Sequence, residues 1–302
     1  MNNDKPVKFS VVIPTYNREK FIVETLNTVL RQKYSHYEII VVDNCSTDNT
    51  EDVLQPFIQS GKVQLIKLDR NYERSRARNI GMENATGDFL ILLDSDDFMY
   101  PNNLTDAAAF VKNNPDFKFF HNLYELVDSD GKVVRRYKFP SLKNQIKAIA
   151  SGNFLSCNGN FIHRDIYQKY RFDDDRPLIG LEDWEFWMRI LADYKLGRIP
   201  KINGAIQQHD NRSVYTQDIS ALEKGSNSLI EKFSSDPHLS DVYAKYLSWI
   251  HANCYLYLAV MANDGKLYDE AKKHLKKAIE IDHRVIFSLR LARIVRKTVF
   301  KL

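Results

Sequence analysis

Through the first hundred positions, short and mostly apolar runs alternate with stretches in which apolar residues recur every three or four positions. The runs are Phe9 to Ile13, Glu38 to Val42, Val63 to Leu68 and Phe89 to Leu93. Such runs predict strands buried on both faces, as in a sheet covered by helices. Between them, Arg18 to Gln32 carries Phe21, Ile22, Thr25, Leu26, Val29 and Leu30 at helical spacing. Further helices are predicted from about Thr50 to Ile58, with caps in Ser46-Thr47-Asp48, and from Ser75 to Asn84, ended by Gly87. Strand and helix alternating with this period imply right-handed crossovers and a parallel sheet. No glycine fingerprint follows the first strand, which weakens a dinucleotide-binding reading.

From Pro101 the pattern changes. Asn103 to Asn113 reads as a helix, and Phe117 to Leu126 with Lys132 to Tyr137 reads as a hairpin turning at Asp128 to Gly131. Phe154 to Ile162 is expected to add a strand. A helix starts at Glu182-Asp183 and runs to about Ala192, with Trp184, Trp187, Met188 and Leu191 on one face. After about residue 215 the chain turns helical. Trp249 to Met261 and Tyr268 to Ile281, around Gly265, form a helical hairpin whose spacing resembles one tetratricopeptide unit, though a plain packing hairpin explains it as well. The expected fold class is α/β, a mostly parallel sheet flanked by helices. The expected division is a domain over 1–214, its halves meeting near residue 100, followed by a helical region over 215–302.

Candidate chemistry concentrates directly after the fourth run, at Asp94, Ser95, Asp96 and Asp97. Strand side chains alternate, so Asp94 and Asp96 share a face while Ser95 points away. Paired carboxylates at the end of a buried strand lie where open α/β sheets bind ligands. Such hard oxygen ligands suit Mn²⁺ or Mg²⁺ together with a diphosphate. Two look-alikes lack this context. Asp128-Ser129-Asp130 precedes Gly131 in a hairpin turn, and Asp173-Asp174-Asp175 follows no apolar strand.

The remaining composition mostly excludes. Hydrophobic residues make up 44% and charged residues 27% of 302, ordinary for a soluble globular protein. A net charge of +4 gives no ground for a nucleic-acid partner. Cys45, Cys157 and Cys254 show neither metal spacing nor a paired framework, which fits a reducing cytosol. The start lacks the apolar core of a signal peptide, and no run reaches the roughly 18 apolar residues of a membrane span. The expectation is a cytoplasmic protein, at most peripheral at the inner face of a membrane.

Several motifs then fall in one order: Val12-Ile13-Pro14-Thr15-Tyr16-Asn17, Val41-Val42-Asp43-Asn44-Cys45-Ser46-Thr47-Asp48, Ala77-Arg78-Asn79, Ala85-Thr86-Gly87-Asp88, Asp94-Ser95-Asp96-Asp97 and Glu182-Asp183. This series resembles the family 2 glycosyltransferases, inverting enzymes of the GT-A fold. The likeness covers roughly residues 8 to 212 and leaves the helical tail outside. It implies a nucleotide-sugar donor, UDP-linked by analogy, and a hydroxyl of a saccharide or lipid-linked saccharide as acceptor, as in bacterial surface-polysaccharide assembly.

The resemblance also implies roles, each with a plainer counterpart. Pro14, Thr15, Tyr16, Asn17, Arg18 and Asp43 would line the nucleotide pocket, with Asp43 alternatively a turn residue ahead of Ser46. Asn44-Cys45 stands where the family often carries Asp-Gly. Arg78 would reach the base or diphosphate, or lie solvated on a helix. Asp94, Ser95 and Asp96 would meet the diphosphate and its metal. His209 would join them, or be structural. Asp183 would be the general base, a role compatible with capping a helix start. Glu182 would orient it or touch the acceptor. Trp184 would stack on acceptor or belong to the core.

The last stretch, 284–302, mixes Arg290, Arg293, Arg296, Lys297 and Lys301 with Leu289, Ile294, Val295, Val299 and Phe300. It would lie on an anionic membrane surface or pack as a final helix. Two competing classes are a nucleotidyltransferase, which no glycine-rich basic loop supports, and a catalytically silent nucleotide-sugar-binding or interaction module.

Overall fold

The computed structural model describes residues 5–174, 178, 180–209, 218–287 and 291. The apolar runs become β1 (Phe9–Thr15), β2 (Tyr37–Asp43), β3 (Gln64–Lys67) and β4 (Phe89–Leu92). The periodic stretches between them become α1 (Ile22–Leu30), α2 (Thr50–Gln59) and α3 (Arg74–Asn84). β5 (Phe98–Met99), α4 (Asn103–Asn113), β6 (Phe119–Val127), β7 (Val133–Arg136), α5 (Gln145–Ala150), β8 (Asn160–His163), α6 (Arg164–Tyr167), α7 (Glu182–Asp193) and β9 (Leu196–Gln207) follow. The chain then forms α8 (Ile219–Ser235), α9 (Pro237–Tyr243), α10 (Leu247–Asp264) and α11 (Tyr268–Ile281).

Two units emerge. The first comprises Met1–Pro140, Leu155–Asp174 and Asp193–Asp210. The second comprises Ser141–Phe154, Asp175–Ala192 and Asn211–Leu302, which differs from a single cut at residue 214 because α5 and α7 join the C-terminal helices.

All the described strands belong to one sheet in the first unit, in the order β3-β2-β1-β4-β8-β6-β9-β5. β3, β2, β1 and β4 run parallel, as the crossovers require. β8 reverses direction against β4, and β6 reverses again against β8, so β6 leaves the sheet at the edge where β4 does. β9 runs parallel to β6 over its whole length, while β7 takes the edge of β6 that β8 leaves free. Phe9, Val11, Ile13, Ile39, Val41, Phe89 and Ile91 pack one face against Ile22, Leu26 and Val29 of α1, with Phe120 and Phe161 extending the same core.

Two expectations need correction. Phe154 to Ile162 does not form one strand: Cys157–Gly159 is a 3-10 turn and β8 begins only at Asn160. β9 was not expected, because Gly197, Pro200 and Gly204 interrupt its apolar pattern; its partner β6 holds it extended. In the second unit, α10 and α11 form the expected hairpin, with Leu222, Ala252, Leu256, Ala259 and Ala278 in a small core of their own. Of the tail, only residues 284–287 and 291 are described, so the membrane expectation lies almost wholly outside the described residues.

Candidate active site

Parallel strands deliver their carboxyl ends to one edge, and the motif residues that follow β1, β2 and β4 lie there, whereas Ala85–Asp88 precede β4 at the opposite edge. Thr15 pairs with Asp43 at the ends of β1 and β2, and Leu93 donates its N–H to the Val12 carbonyl at 2.9 Å, so Asp94 emerges beside them. Thr15 Oγ1 is buried with no hydrogen-bond partner among the described residues. Tyr16 is exposed, and Asn17 adopts a left-handed φ of 51°, which asparagine tolerates well. From there the Asn17 N–H donates to Ser46 Oγ at 2.9 Å, and its Oδ1 accepts from the Thr47 N–H at 2.8 Å. One residue thus ties the loop after β1 to the loop after β2.

Asp43 is only 1% exposed. Its Oδ1 accepts from both the N–H (3.1 Å) and the hydroxyl of Ser46, the turn role open to it in the sequence. Asn44 then joins this loop to the segment before α3. Its Nδ2 donates to Asn71 Oδ1 at 2.8 Å and to the Tyr72 carbonyl, and its Oδ1 accepts from the Tyr72 N–H at 2.9 Å. No periodic or motif signal marks such a clamp.

Three basic side chains converge on the carboxylates. Arg78 Nη2 lies 3.0 Å from Asp94 Oδ1, and the Arg78 side chain is 3% exposed with Phe172 under its guanidinium at 5.2 Å. It is therefore a buried cation and not a solvated one. His209 Nε2 lies 3.0 Å from Asp96 Oδ2, and Arg18 Nε lies 3.5 Å from the same oxygen. The His209 ring stacks on Phe21 at 4.2 Å, and its Nδ1 is buried with no partner among the described residues. Ser95 is buried in the turn after β4, where the Asp97 N–H donates to the Asp94 carbonyl at 3.0 Å, while Asp97 Oδ1 accepts the Gln207 N–H at 3.3 Å and so anchors the end of β9 that leads to His209.

Asp94 is thus paired with Arg78, and Asp96 with Arg18 and His209. Two carboxylates and an imidazole form an oxygen-and-nitrogen set that fits Mn²⁺, with Mg²⁺ suited to the carboxylates alone. Among the described residues no three such groups are already gathered into a ligand shell. A shell built here would draw its remaining ligands from substrate phosphate and water.

In the second unit, Asp183 sits in the first turn of α7, one residue inside the helix and not at its cap. Its Oδ1 accepts from the Trp184 N–H at 2.7 Å, and its Oδ2 accepts from Asn153 Nδ2 at 3.0 Å. Asn153 was not expected; it lies in a loop with no pattern to mark it. Glu182 is buried. The Trp184 ring packs inside the unit, its indole N–H donating to the Ile149 carbonyl at 2.8 Å, so it serves the core and not an open sugar platform. Further along α7, buried Glu185 binds both Arg189 (2.5 Å) and Lys232 (2.7 Å).

With this geometry in view, the comparisons with known proteins decide the family. The family model described as Glycosyl transferase family 2 matches residues 10–171, more than half of the chain. The chain belongs to family 2 of the glycosyltransferases. It is accordingly a glycosyltransferase, and the nucleotidyltransferase reading loses its support. TarS of Staphylococcus aureus, a poly(ribitol-phosphate) β-N-acetylglucosaminyltransferase, is 38% identical over 108 residues, 35% of this chain but only 19% of TarS. WfgD of Escherichia coli, a UDP-Glc:α-D-GlcNAc-diphosphoundecaprenol β-1,3-glucosyltransferase, is 28% identical over 191 residues, covering 63% of this chain and 72% of WfgD. The crystal structure of TarS 1–349 with UDP-GlcNAc superposes with a TM-score of 0.66 at 20% identity, covering 90% of this chain and 89% of that one. A mannosyltransferase of Pyrobaculum calidifontis, solved with GDP-Man and Mn²⁺, superposes with a TM-score of 0.60 at 15% identity, covering 99% and 89%. These likenesses show the GT-A-like fold with its helical C-terminal region.

Proposed function

We propose that this family 2 enzyme is a metal-dependent inverting glycosyltransferase. It would move a sugar from a UDP-sugar to a hydroxyl of a saccharide or lipid-linked saccharide in cell-surface polysaccharide synthesis. The observation that carries the reading is the paired Asp94 and Asp96 at the carboxyl edge of the sheet, each already bridged to a basic side chain. WfgD, named for UDP-Glc and a GlcNAc-diphosphoundecaprenol, supports the substrate class, and the TarS structure with UDP-GlcNAc supports the nucleotide sugar.

Thr15, Tyr16 and Asp43 would hold the nucleoside, with Pro14 and Asn17 shaping the loop. Asp94 and Asp96, joined by His209, would hold Mn²⁺ or Mg²⁺. When bound, that ion would neutralise charge growing on the departing diphosphate. Arg18 and Arg78 sit beside the carboxylates as fixed cations and would pair with the same phosphates. Asp183 would accept the proton of the acceptor hydroxyl as its oxygen forms a bond to the anomeric carbon. The bond from that carbon to the diphosphate oxygen breaks in the same displacement, so the anomeric configuration inverts, as in inverting glycosidases with a sugar hydroxyl replacing water. Asn153 would keep the Asp183 carboxylate turned in one direction.

Asp183→Asn tests the assignment. Transfer should fall to background while UDP-sugar binding stays within about twofold; retained turnover would remove Asp183 from the base role. No helix among the described residues is long and apolar enough to cross a membrane. Contact with an anionic membrane through 284–302 stays part of the proposal, with Ile286 and the 88%-exposed Phe287 as its described portion. Truncation after Asp282 should then lower liposome binding, and unchanged binding would refute it.

A further inference from the structure

Along β6 and the segment that follows β7, side chains of the first unit form a strip with a guanidinium at each end. Arg198 of β9 pairs with His121 of β6, and its guanidinium lies 5.7 Å from the Phe139 ring. Phe139 meets Tyr124 edge-on at 5.2 Å, and Tyr124 meets Tyr137 at the same spacing. Arg135 ends the strip, 5.1 Å over the Tyr137 ring. Tyr124, Tyr137, Phe139 and Arg198 are part-exposed and Arg135 is exposed, so each can be reached from solvent.

The charge at the Arg198 end is not neutralised. Its Nε donates to His121 Nε2 at 2.9 Å, and His121 Nδ1 lies 2.8 Å from the Asn122 carbonyl. A carbonyl only accepts, so Nδ1 carries the proton and Nε2 is free to accept from the arginine. Burial and the nearby Arg198 charge push the His121 pKa down to about 3, so the ring is uncharged at neutral pH. Burial also lowers Arg198 from its ordinary value, and no carboxylate among the described residues pairs with it. Its Nη2 is buried without a hydrogen-bond partner among them. Arg136, beside Arg135, shows the usual arrangement, held by Glu125 at 2.9 Å. A part-buried cation without an anion is unfavourable, and an anionic ligand relieves it.

The strip also leads toward the carboxylate edge. Three residues beyond Tyr124, the Val127 carbonyl accepts the Gln208 N–H at 2.8 Å, and Gln208 adjoins His209, which pairs with Asp96. Deepening the acceptor assignment above, on which it rests, we propose that this strip binds an acceptor saccharide that carries oxyanions, as phosphate or carboxylate. Sugar rings would lie against Tyr124, Tyr137 and Phe139, while oxyanions pair with Arg198 at one end and Arg135 at the other. Three rings in series suit a chain of sugars better than a single one.

The test is calorimetric titration of maltotriose, maltotriose 6-phosphate and trigalacturonate into the wild type, Arg198→Gln, Arg198→Lys and Arg135→Gln. Each titration is run with saturating UDP and Mn²⁺, to occupy Arg18 and Arg78, and again without them. The wild type should bind at least one anionic sugar about tenfold or more tighter than maltotriose, and the two anionic arms show which oxyanion is preferred. Arg198→Gln keeps an amide donor toward His121 and removes the charge; it should lose about tenfold of that preference, and Arg198→Lys should regain part of it. Arg135→Gln, at an exposed position that folding does not depend on, should lose about threefold. Both losses should shrink at about 0.5 M salt. A purely structural Arg198 would instead lower the Tm of Arg198→Gln and leave the preference intact, which overturns the proposal. Equal binding of all three sugars would overturn the oxyanion role while leaving a saccharide acceptor standing, and binding of none would overturn both. Failure to bind UDP would remove the donor assignment alone, since the titrations without UDP still decide the strip.

Discussion

Replacing Asn44 by aspartate exchanges an amide nitrogen for an oxygen and should loosen the loops around Asp43. Asn44 is nearly buried, and its amide both donates to and accepts from the backbone of Tyr72 while also donating to Asn71. The Asn44→Asp variant would retain the bond from the Tyr72 N–H and lose two donors. In their place a carboxylate oxygen would face the Asn71 and Tyr72 oxygens. Each lost hydrogen bond is worth about 1 kcal/mol, and a buried acceptor left facing a charge adds about 1–3 kcal/mol. Asn71 is exposed and recovers water, so the total should be about 2–3 kcal/mol. For a unit of this size that is roughly a 4–10 °C fall in Tm. Calorimetric melting at pH 7 measures it, and titration with UDP and Mn²⁺ should show weaker binding because the loop no longer holds its place beside Asp43. At pH values low enough to protonate the introduced carboxylate the deficit should shrink. A Tm within one degree of wild type, with unaltered UDP binding, would refute the clamp.

Other perturbations probe different parts of the fold. Gly81→Ala in α3 would place a Cβ 2.2 Å from Val12 Cγ1, and the forced shift of helix against sheet should cost about 1–3 kcal/mol; an unchanged urea midpoint would contradict this packing. Cys45 holds a left-handed φ of 64°, so Cys45→Gly should raise Tm by one or two degrees, and a lowered Tm would show that the thiol contributes more than the strain removes. Glu38 lies at the opposite edge of the sheet. Burial alone would raise its pKa, but hydrogen bonds from Lys8, Ser10 and Thr86 hold it down to about 2. Its folded pKa lies below the unfolded value, so its contribution is complete above about pH 5 and disappears as pH falls toward 2. Glu38→Gln should therefore cost about 2 kcal/mol at pH 7, discounted for the quarter of the side chain that is exposed, and almost nothing near pH 2; a pH-independent difference would refute the linkage.

Much of the first unit was legible in the sequence. A run of four or five apolar residues ending in Asp94 admits few structures other than a buried strand delivering carboxylates to a sheet edge, and the motifs at Thr15, Asp43 and Arg78 lie at that same edge. The helices were legible because α1, α7 and α11 keep apolar residues at a 3.6-residue period, while α10 is a long run that is apolar on nearly every side. β9 was not legible, since its extended form depends on β6, more than 70 residues away, and not on its own glycine- and proline-broken pattern. Phe154 and Leu155 are apolar enough to suggest a strand, but the chain turns at Cys157–Gly159 before β8 can start. Residues that act singly, such as Asn44 in the loop after β2, Asn153 on Asp183 and Phe21 beneath His209, carry no period or spacing. They become visible only when distant segments meet.

The most direct test of the central claim is thermal unfolding of the purified protein with nucleotide sugars, with Mn²⁺ and again with chelator, alongside Asp96→Asn. A ligand at about 100 times its dissociation constant stabilises the fold by about 2.7 kcal/mol, a shift large enough to read. The account predicts a Tm increase with one class of nucleotide sugar that chelator removes and that Asp96→Asn loses. No shift with any donor, or a shift indifferent to both chelator and Asp96, would contradict it.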